Sequence, residues 1–358
     1  MSSRAKLILE DGSVYDALSF GSEKSVSGEL VFYTAMIGYP ESLTDPSYKG
    51  QILVPTFPMI GNYGVPDDEV ENGISRNFES DKIHCTALVI SDYSEKFSHW
   101  NSDRNLGTWL KQQGVPGLYG IDTRALTKKL RERGAMLGKI VFEGEDVPFH
   151  DPNKENLVAQ VSTEEVRYYG NGKYKVLLVD CGVKNNIMRC LLKHDVTIKR
   201  VPWNYDFTKE DYDGLFISNG PGDPAMCTET VEHIKVALQG DRPIMGICLG
   251  NQLMALAAGA KTYKMKYGHR GHNQPVKVPG THTCYITSQN HGFAIDDKTL
   301  PQDWKPLFVN LNDGTNEGIA HVEKPFFSAQ FHPEASSGPV DTESLFATFV
   351  ENMKKTRK

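Results

Sequence analysis

Cys248 lies in the run Pro243-Ile-Met-Gly-Ile-Cys-Leu-Gly-Asn-Gln-Leu-Met-Ala-Leu-Ala257, with Gly246 and Gly250 placed two residues to either side. Ile244, Met245 and Ile247 read as a short strand and Gln252 to Ala258 as a helix, so the cysteine marks their junction. Gly-x-Cys-x-Gly is the spacing of a nucleophile elbow. A sharp strand-to-helix turn needs small flanks so that the middle side chain can stand clear of the sheet. At a helix N-terminus, backbone N–H groups and the dipole favour the thiolate, the form that attacks an electrophile. The competing reading is a buried structural cysteine at a strand end.

A thiol nucleophile needs a base within hydrogen-bond reach, and the base needs an acceptor to orient it. The aromatic run from Pro325 to Phe331 ends in His332-Pro333-Glu334. Two apart on an extended segment, His332 and Glu334 point the same way, and Pro333 stiffens the link. A carboxylate on the far ring nitrogen would fix the tautomer and stabilise the imidazolium. A further loop, Ser218-Asn-Gly-Pro-Gly-Asp-Pro224, follows the apolar Leu215-Phe-Ile217. Gly220 and Gly222 around Pro221 expose backbone N–H groups suited to a carboxylate or an oxyanion, although such a turn can also be simple punctuation. Thr287-Ser-Gln-Asn-His-Gly-Phe293 offers amide and backbone groups to a polar substrate. His291 there competes with His332 for the role of base. The adjacent carboxylate favours His332 and leaves His291 a structural or supporting role.

The elements that must position these groups change character along the chain. Residues 5–15 read as a hairpin turning at Asp11-Gly12, followed by strand-like runs at Glu29–Thr34, Gln51–Pro55 and Cys85–Ile90. A helix is expected from about Asn105, with Leu106, Trp109 and Leu110 on one face and Gly114 as its stop. Another is expected over Thr123 to Arg133, capped by Asp122 or Thr123 and stopped at Gly134. Tyr39, Tyr48, Phe57 and Tyr63 read as core and turn residues. This half is a mixed domain, expected over residues 1–170, with Tyr169-Gly-Asn-Gly-Lys173 as linker. From residue 174 to 358, short apolar runs alternate with helix-like segments. That pattern predicts α/β architecture with a mostly parallel central sheet, flanking helices and loops gathered at the strands' carboxyl ends.

Composition removes several function classes. With 358 residues, 39 Lys plus Arg against 45 Asp plus Glu, and a net charge of −6, the chain has no general pull toward nucleic acid or anionic membrane. Six cysteines (Cys85, Cys181, Cys190, Cys227, Cys248 and Cys284) lie scattered without Cys-x-x-Cys spacing, which argues against a zinc site or a disulfide framework and for a reducing compartment. No apolar run approaches membrane-span length and no signal peptide is legible, so the expected location is cytoplasmic.

Gly-Ile-Cys-Leu-Gly-x-Gln with a later Phe-His-Pro-Glu resembles the triad (class I) glutamine amidotransferases. Ser218 to Pro224, Ala260 to Met265, Gly271 to Pro275 and Ser288 to Phe293 narrow the resemblance to the small, glutamine-hydrolysing subunit of the carbamoyl-phosphate synthetases. In the first half, Gly38 to Tyr48, Gly61-Asn-Tyr-Gly64 and Gly120-Ile-Asp-Thr-Arg124 resemble that subunit's own first domain. The likeness covers essentially the full chain.

The resemblance implies Cys248 as nucleophile, His332 as base and Glu334 as its orienter. It places glutamine contacts on Ser47, Gly220, Gly222, Leu249, Gln252, Asn290, Gly292 and Phe293, with the N–H groups of Leu249 and Gly222 as oxyanion hole. Ser47 would make the pocket a product of both halves. No metal or cofactor is implied for this chain. ATP, Mg²⁺ and bicarbonate belong to a large subunit, the expected partner in a heterodimer or higher oligomer, which receives ammonia through a tunnel and supplies pyrimidine or arginine synthesis. Many relatives carry His where this chain has Asn251, a difference expected to tune the site rather than disable it. Two other readings remain at this point, an amidotransferase serving another synthetase and a non-catalytic regulatory subunit.

Overall fold

The computed structural model describes residues 3–357 and divides by its own contacts into two compact units, Met1–Lys154 and Glu155–Lys358. In the first unit the expected hairpin forms from β1 (Arg4–Leu9) and β2 (Val14–Ser19), with Asp11 accepting the Ser13 amide at 3.0 Å in the turn. With β3 (Val26–Tyr33), β4 (Gln51–Pro55), β5 (Ala87–Val89), β6 (Gly117–Tyr119) and β7 (Met136–Phe142) they close a barrel in the order β1-β7-β3-β4-β5-β6-β2. The hairpin and the runs of β3, β4 and β5 were legible, whereas β6 and β7 were not singled out. Closure was not legible either, because it depends on the pairing of β1 with β7 across more than a hundred residues.

The two helices expected in this unit form where side chains satisfy the first turn. Asn105 accepts from the Thr108 amide ahead of α1 (Leu106–Gln112), and Asp122 accepts from the Ala125 amide ahead of α2 (Thr123–Arg133). Gly134 ends α2 with a φ of 107°. Tyr39 stacks on Tyr63 with ring centroids 4.2 Å apart, and the Tyr63 hydroxyl accepts from the Gly38 and Tyr39 amides. These rings are core, as their setting among turns suggested.

The second unit is built on a ten-stranded mixed sheet. Five strands run parallel at its centre: β9 (Tyr174–Asp180), β10 (Val196–Pro202), β11 (Gly214–Ile217), β12 (Ile244–Ile247) and β17 (Phe326–Ala329). The segment β8 (Arg167–Tyr169) pairs antiparallel with β10 at one edge, so part of the polar stretch before residue 174 packs with this unit. On the other side the sheet continues antiparallel through β16 (Asn316–His321) and β15 (Trp304–Asn310) to a long hairpin, β13 (Thr262–Lys277) and β14 (Cys284–Ile295). That extension has no period-2 signature in the sequence. Gly, His and Asn interrupt it, and register shifts between Lys264 and His269 and between Gly271 and Gln274 break the alternation.

The central strands are buried on both faces and read as continuous apolar runs for that reason. Helices α3 (Asn185–Leu192), α4 (Thr228–Ala237), α5 (Leu249–Ala258) and α6 (Ser344–Thr356) flank the sheet, α5 resting Leu253 and Met254 in a core with Ile217, Ile244 and Ile319. Among the described residues no helix is long and apolar enough to cross a membrane.

Candidate active site

Cys248 occupies the bend between β12 and α5, 3% exposed, with φ 53° and ψ −102°. A positive φ on a residue with a Cβ is a strained state that persists only when its surroundings enforce it. Those surroundings are visible. A Cβ on Gly250 would lie 2.2 Å from the Ile217 carbonyl oxygen, and one on Gly246 would lie 2.6 Å from Gly250 itself. The two glycines let strand, bend and helix close on one another, and the Cys248 amide is held by the Ala329 carbonyl at 2.8 Å. The thiol emerges at the N-terminus of a ten-residue helix and donates to the Asn290 carbonyl at 3.6 Å.

His332 follows β17, its amide bonded to the Ser288 carbonyl at 2.9 Å. Its Nδ1 lies 2.6 Å from Glu334 Oε1, which assigns the ring proton to Nδ1 and turns Nε2 inward. Nε2 is buried and makes no hydrogen bond among the described residues, while the Cys248 side chain is close enough to favour the protonated ring. Burial opposes the imidazolium, but Glu334 and Cys248 outweigh it and hold its pKa above the usual histidine range. Burial likewise opposes the Glu334 carboxylate. Lys184 and His332 reverse that and hold it below the ordinary carboxylate range.

Lys184 was not singled out in the sequence. It is buried at the start of α3, with Nζ 3.1 Å from Glu334 Oε1 and 2.8 Å from the Ala335 carbonyl. The available signal was weak, a lone lysine just past the carboxyl end of a parallel strand, in a residue type that normally seeks solvent. Asp180 was also missed. It turns the chain ahead of Lys184 by accepting from the Gly182 and Val183 amides, and it pairs with Arg200 at 2.6 Å.

The other candidate residues of this unit converge unevenly. Leu249 and Gly220 touch, since a Cβ on Gly220 would meet Leu249 Cδ2 at 2.8 Å. Gly222 adopts φ 84° beside Leu157. Gln252 donates to the Phe293 carbonyl at 2.9 Å and to Gln330 Oε1 at 3.1 Å, tying the helix to β14 and to the segment leading to His332. Asn290 and Gly292 flank His291, whose Nδ1 donates to the Phe293 carbonyl at 2.9 Å. Burial and the nearby His269 keep His291 neutral, its pKa well below the usual range. Asn251 turns away from the thiol. It donates to Gln330 Oε1 at 2.9 Å and accepts from the Ser328 hydroxyl at 2.7 Å. Ser47 lies in the first unit, in the turn Pro46–Tyr48 with its amide on Asp45 Oδ1 at 2.8 Å.

A strained cysteine at a strand–helix bend, with a buried histidine and carboxylate after a neighbouring parallel strand, is an arrangement able to activate a thiol. Residues 177–352 match the family described as glutamine amidotransferase class-I, so the second unit is a domain of that class. Residues 7–140 match the carbamoyl-phosphate synthase small chain, CPSase domain. The chain therefore belongs to the carbamoyl-phosphate synthase small-chain family, its own first domain preceding the amidotransferase domain.

Curated relatives agree over nearly the whole chain. It is 54% identical to "Multifunctional protein CAD" of Squalus acanthias, matching 97% of this chain and 16% of that protein. It is 51% identical to "Multifunctional protein pyr-3" of Neurospora crassa, over 98% of this chain and 21% of the relative. With the human "Carbamoyl-phosphate synthase (ammonia), mitochondrial" it shares 52% identity over 98% of this chain and 24% of the relative. The chain thus spans between 16% and 24% of the length of these proteins.

Proposed function

We propose that this chain is the glutaminase part of a glutamine-dependent carbamoyl-phosphate synthase. Cys248 is the nucleophile, His332 the acid and base, and Glu334 the orienting acceptor. In the resting site the thiol passes its proton to His332 Nε2. The thiolate then attacks the side-chain carbonyl carbon of L-glutamine, and N–H groups of Leu249 and Gly222 receive the oxyanion. Collapse of the tetrahedral adduct breaks the C–N bond, with the Nε2 proton going to the departing ammonia. Water, deprotonated by His332, attacks the thioester and releases glutamate and the thiol. No step calls for a metal or cofactor on this chain.

Ser47, Gly220, Gly222, Leu249, Gln252, Asn290, Gly292 and Phe293 are the proposed glutamine contacts. Both hydrogens of the Gln252 amide nitrogen are committed to Phe293 and Gln330. Its Oε1 is left to act as acceptor, which suits the ammonium group of the substrate.

The ammonia passes to synthetase machinery that uses ATP, Mg²⁺ and bicarbonate to make carbamoyl phosphate for pyrimidine or arginine synthesis. That machinery is either a separate large subunit or a continuation of a longer chain, as the length of the relatives allows. The first domain is its proposed docking platform, and the proposed location is the cytoplasm. Amidotransfer to another synthetase is disfavoured by the small-chain domain at residues 7–140. A purely regulatory role is disfavoured by the intact Cys248, His332 and Glu334.

The observation that carries the reading is the buried 2.6 Å His332–Glu334 contact with Nε2 left unpartnered beside Cys248. The test is Cys248→Ser in the assembled synthase. Glutamine-dependent carbamoyl phosphate formation should vanish while ammonia-dependent formation persists. Undiminished glutamate release by the variant would refute the assignment.

A further inference from the structure

Three groups outside the proposed mechanism meet: His269 of β13, His291 of β14 and Glu317 of β16. All three are buried, and one ligand atom from each lies within 4.8 Å of the others. His269 Nδ1 is 3.2 Å and His291 Nε2 3.8 Å from Glu317 Oε1. Two imidazoles and a carboxylate are the donor set of many zinc sites, where ligand atoms around a tetrahedral ion at ~2.1 Å stand about 3.4 Å apart. The two measured spacings bracket that value.

His269 stands between Glu317 Oε1 at 3.2 Å and Asp313 Oδ2 at 2.8 Å, so an ion here would take the place of the Nδ1 proton shared with Glu317. His291 Nδ1 faces the Phe293 carbonyl, which can only accept, so Nδ1 carries the proton and Nε2 presents a lone pair. That lone pair points at two oxygens, Gln289 Oε1 at 3.3 Å and Glu317 Oε1 at 3.8 Å. Three electron-rich atoms converge there, and Glu317 Oε2 is buried with no hydrogen-bond partner among the described residues. Each imidazole is also braced as metal ligands are, by a second acceptor on its far nitrogen. His269 Nε2 meets Asp313 Oδ2 at 2.8 Å, and His291 Nδ1 meets the Phe293 carbonyl. Asn310 donates to Glu317 Oε1 at 3.1 Å and orients the carboxylate. The Asp313 side chain is 43% exposed, so an ion has a short route in from solvent past His269.

We infer that His269, His291 and Glu317 form a binding site for a divalent transition-metal ion of the Zn²⁺ type. A water or the second Glu317 oxygen completes the coordination. The donor set of two nitrogens and a carboxylate excludes Ca²⁺ and Mg²⁺, which require oxygen shells. The inference does not rest on the proposed Cys248 chemistry, and His291 shares β14 with the proposed glutamine contacts Asn290 and Gly292.

The test is metal titration of the chelator-stripped full chain, by calorimetry with ZnCl₂ and by absorption with CoCl₂. It is run in a Cys248→Ser, Cys284→Ser background, because both thiols could bind the same ions. One ion per chain is expected, with a Co²⁺ spectrum lacking a thiolate charge-transfer band. Glu317→Gln should abolish stoichiometric binding. Asp313→Asn, on the partly exposed rim, should leave the metal-free chain folded, with cooperative unfolding, and weaken the ion by about 10–100-fold. Absence of a stoichiometric ion overturns the inference, as does binding that disappears with the two thiols. So does affinity unchanged in Asp313→Asn, a result that stands even if Glu317→Gln fails to fold.

Discussion

The buried triplet of Lys184, Glu334 and His332 allows stability and catalysis to be separated by mutation. Glu334 serves two cations at once, Nζ of Lys184 at 3.1 Å and Nδ1 of His332 at 2.6 Å. At an effective dielectric of about 20 the Lys184 contact has a gross Coulomb energy of roughly 5 kcal/mol, much of it offset by the desolvation of both ions. Replacing Glu334 by Gln leaves the lysine, whose side chain is 6% exposed, beside the Ala335 carbonyl without the charge of the carboxylate. Stranding one member of a buried pair costs about 3–5 kcal/mol. In a unit of this size that lowers the unfolding temperature by about 6–20 °C. The same change removes the negative charge that stabilises the imidazolium, and the equivalent loss in other nucleophile–histidine–carboxylate sets costs about 10⁴ in kcat.

Lys184→Met takes one of two cations from Glu334 and leaves it the His332 ring. It should destabilise less than Glu334→Gln and lose less rate, because the carboxylate–imidazole bond remains. In the double variant no charge is stranded. Its stability should exceed the sum of the single effects by about 2 kcal/mol or more, while its turnover stays as low as that of Glu334→Gln. The assays are urea unfolding at pH 7 and initial rates of glutamate release. Wild-type turnover in Glu334→Gln would refute the catalytic part of the reasoning, and strict additivity of the two stability effects would refute the electrostatic part.

Three further outcomes follow from the same geometry. Because the His332 pKa is raised on folding, its contribution to stability is complete below the unfolded value of about 6.5 and declines by about 1.4 kcal/mol per pH unit above it until the folded value is passed. Urea midpoints from pH 6 to 9 should show that decline in Cys248→Ser, where no thiol proton is exchanged with the ring, and lose it when Glu334→Gln is added. Gly250→Ala drives a methyl to within 2.2 Å of the Ile217 oxygen and should lower stability by about 1–3 kcal/mol or more. An unchanged melting temperature would contradict the packing described for the bend. Asn251→Ala removes the amide bonded to Gln330 and Ser328 and should cost about 1–3 kcal/mol, read from the urea midpoint with the m-value unchanged.

What the sequence made legible was whatever is set by near neighbours. The elbow is declared by two glycines within two residues of Cys248, the carboxylate that meets His332 by an acid two places on, and α2 by its cap and its terminal glycine. Each signal has a range of a few residues, and each element appears where expected. Barrel closure, the antiparallel extension and the burial of Lys184 have no such local cause. Lys184 is inside because Glu334, 150 residues later, arrives beside it, and an isolated lysine carries no mark of a partner so distant in sequence. Gln252 shows the same limit from the other side. Its place one turn into α5 was plain, but its commitment to Phe293 and Gln330 depends on two strands that the chain supplies later.

The first turn of α5 is where those distant pieces are brought into register. Its start presents Cys248, whose thiol meets the Asn290 carbonyl, while Gln252 one turn on fixes the Phe293 carbonyl of the same strand. Gln330 accepts from both Asn251 and Gln252, and two residues later the chain delivers His332. Cys248 and the two segments facing it are thus tied together by three residues, Cys248, Asn251 and Gln252, rather than by loops free to drift. Preorganisation of that kind accounts for a strained φ at Cys248: the bonds around the bend hold the thiol in place, and relaxing the backbone would break them.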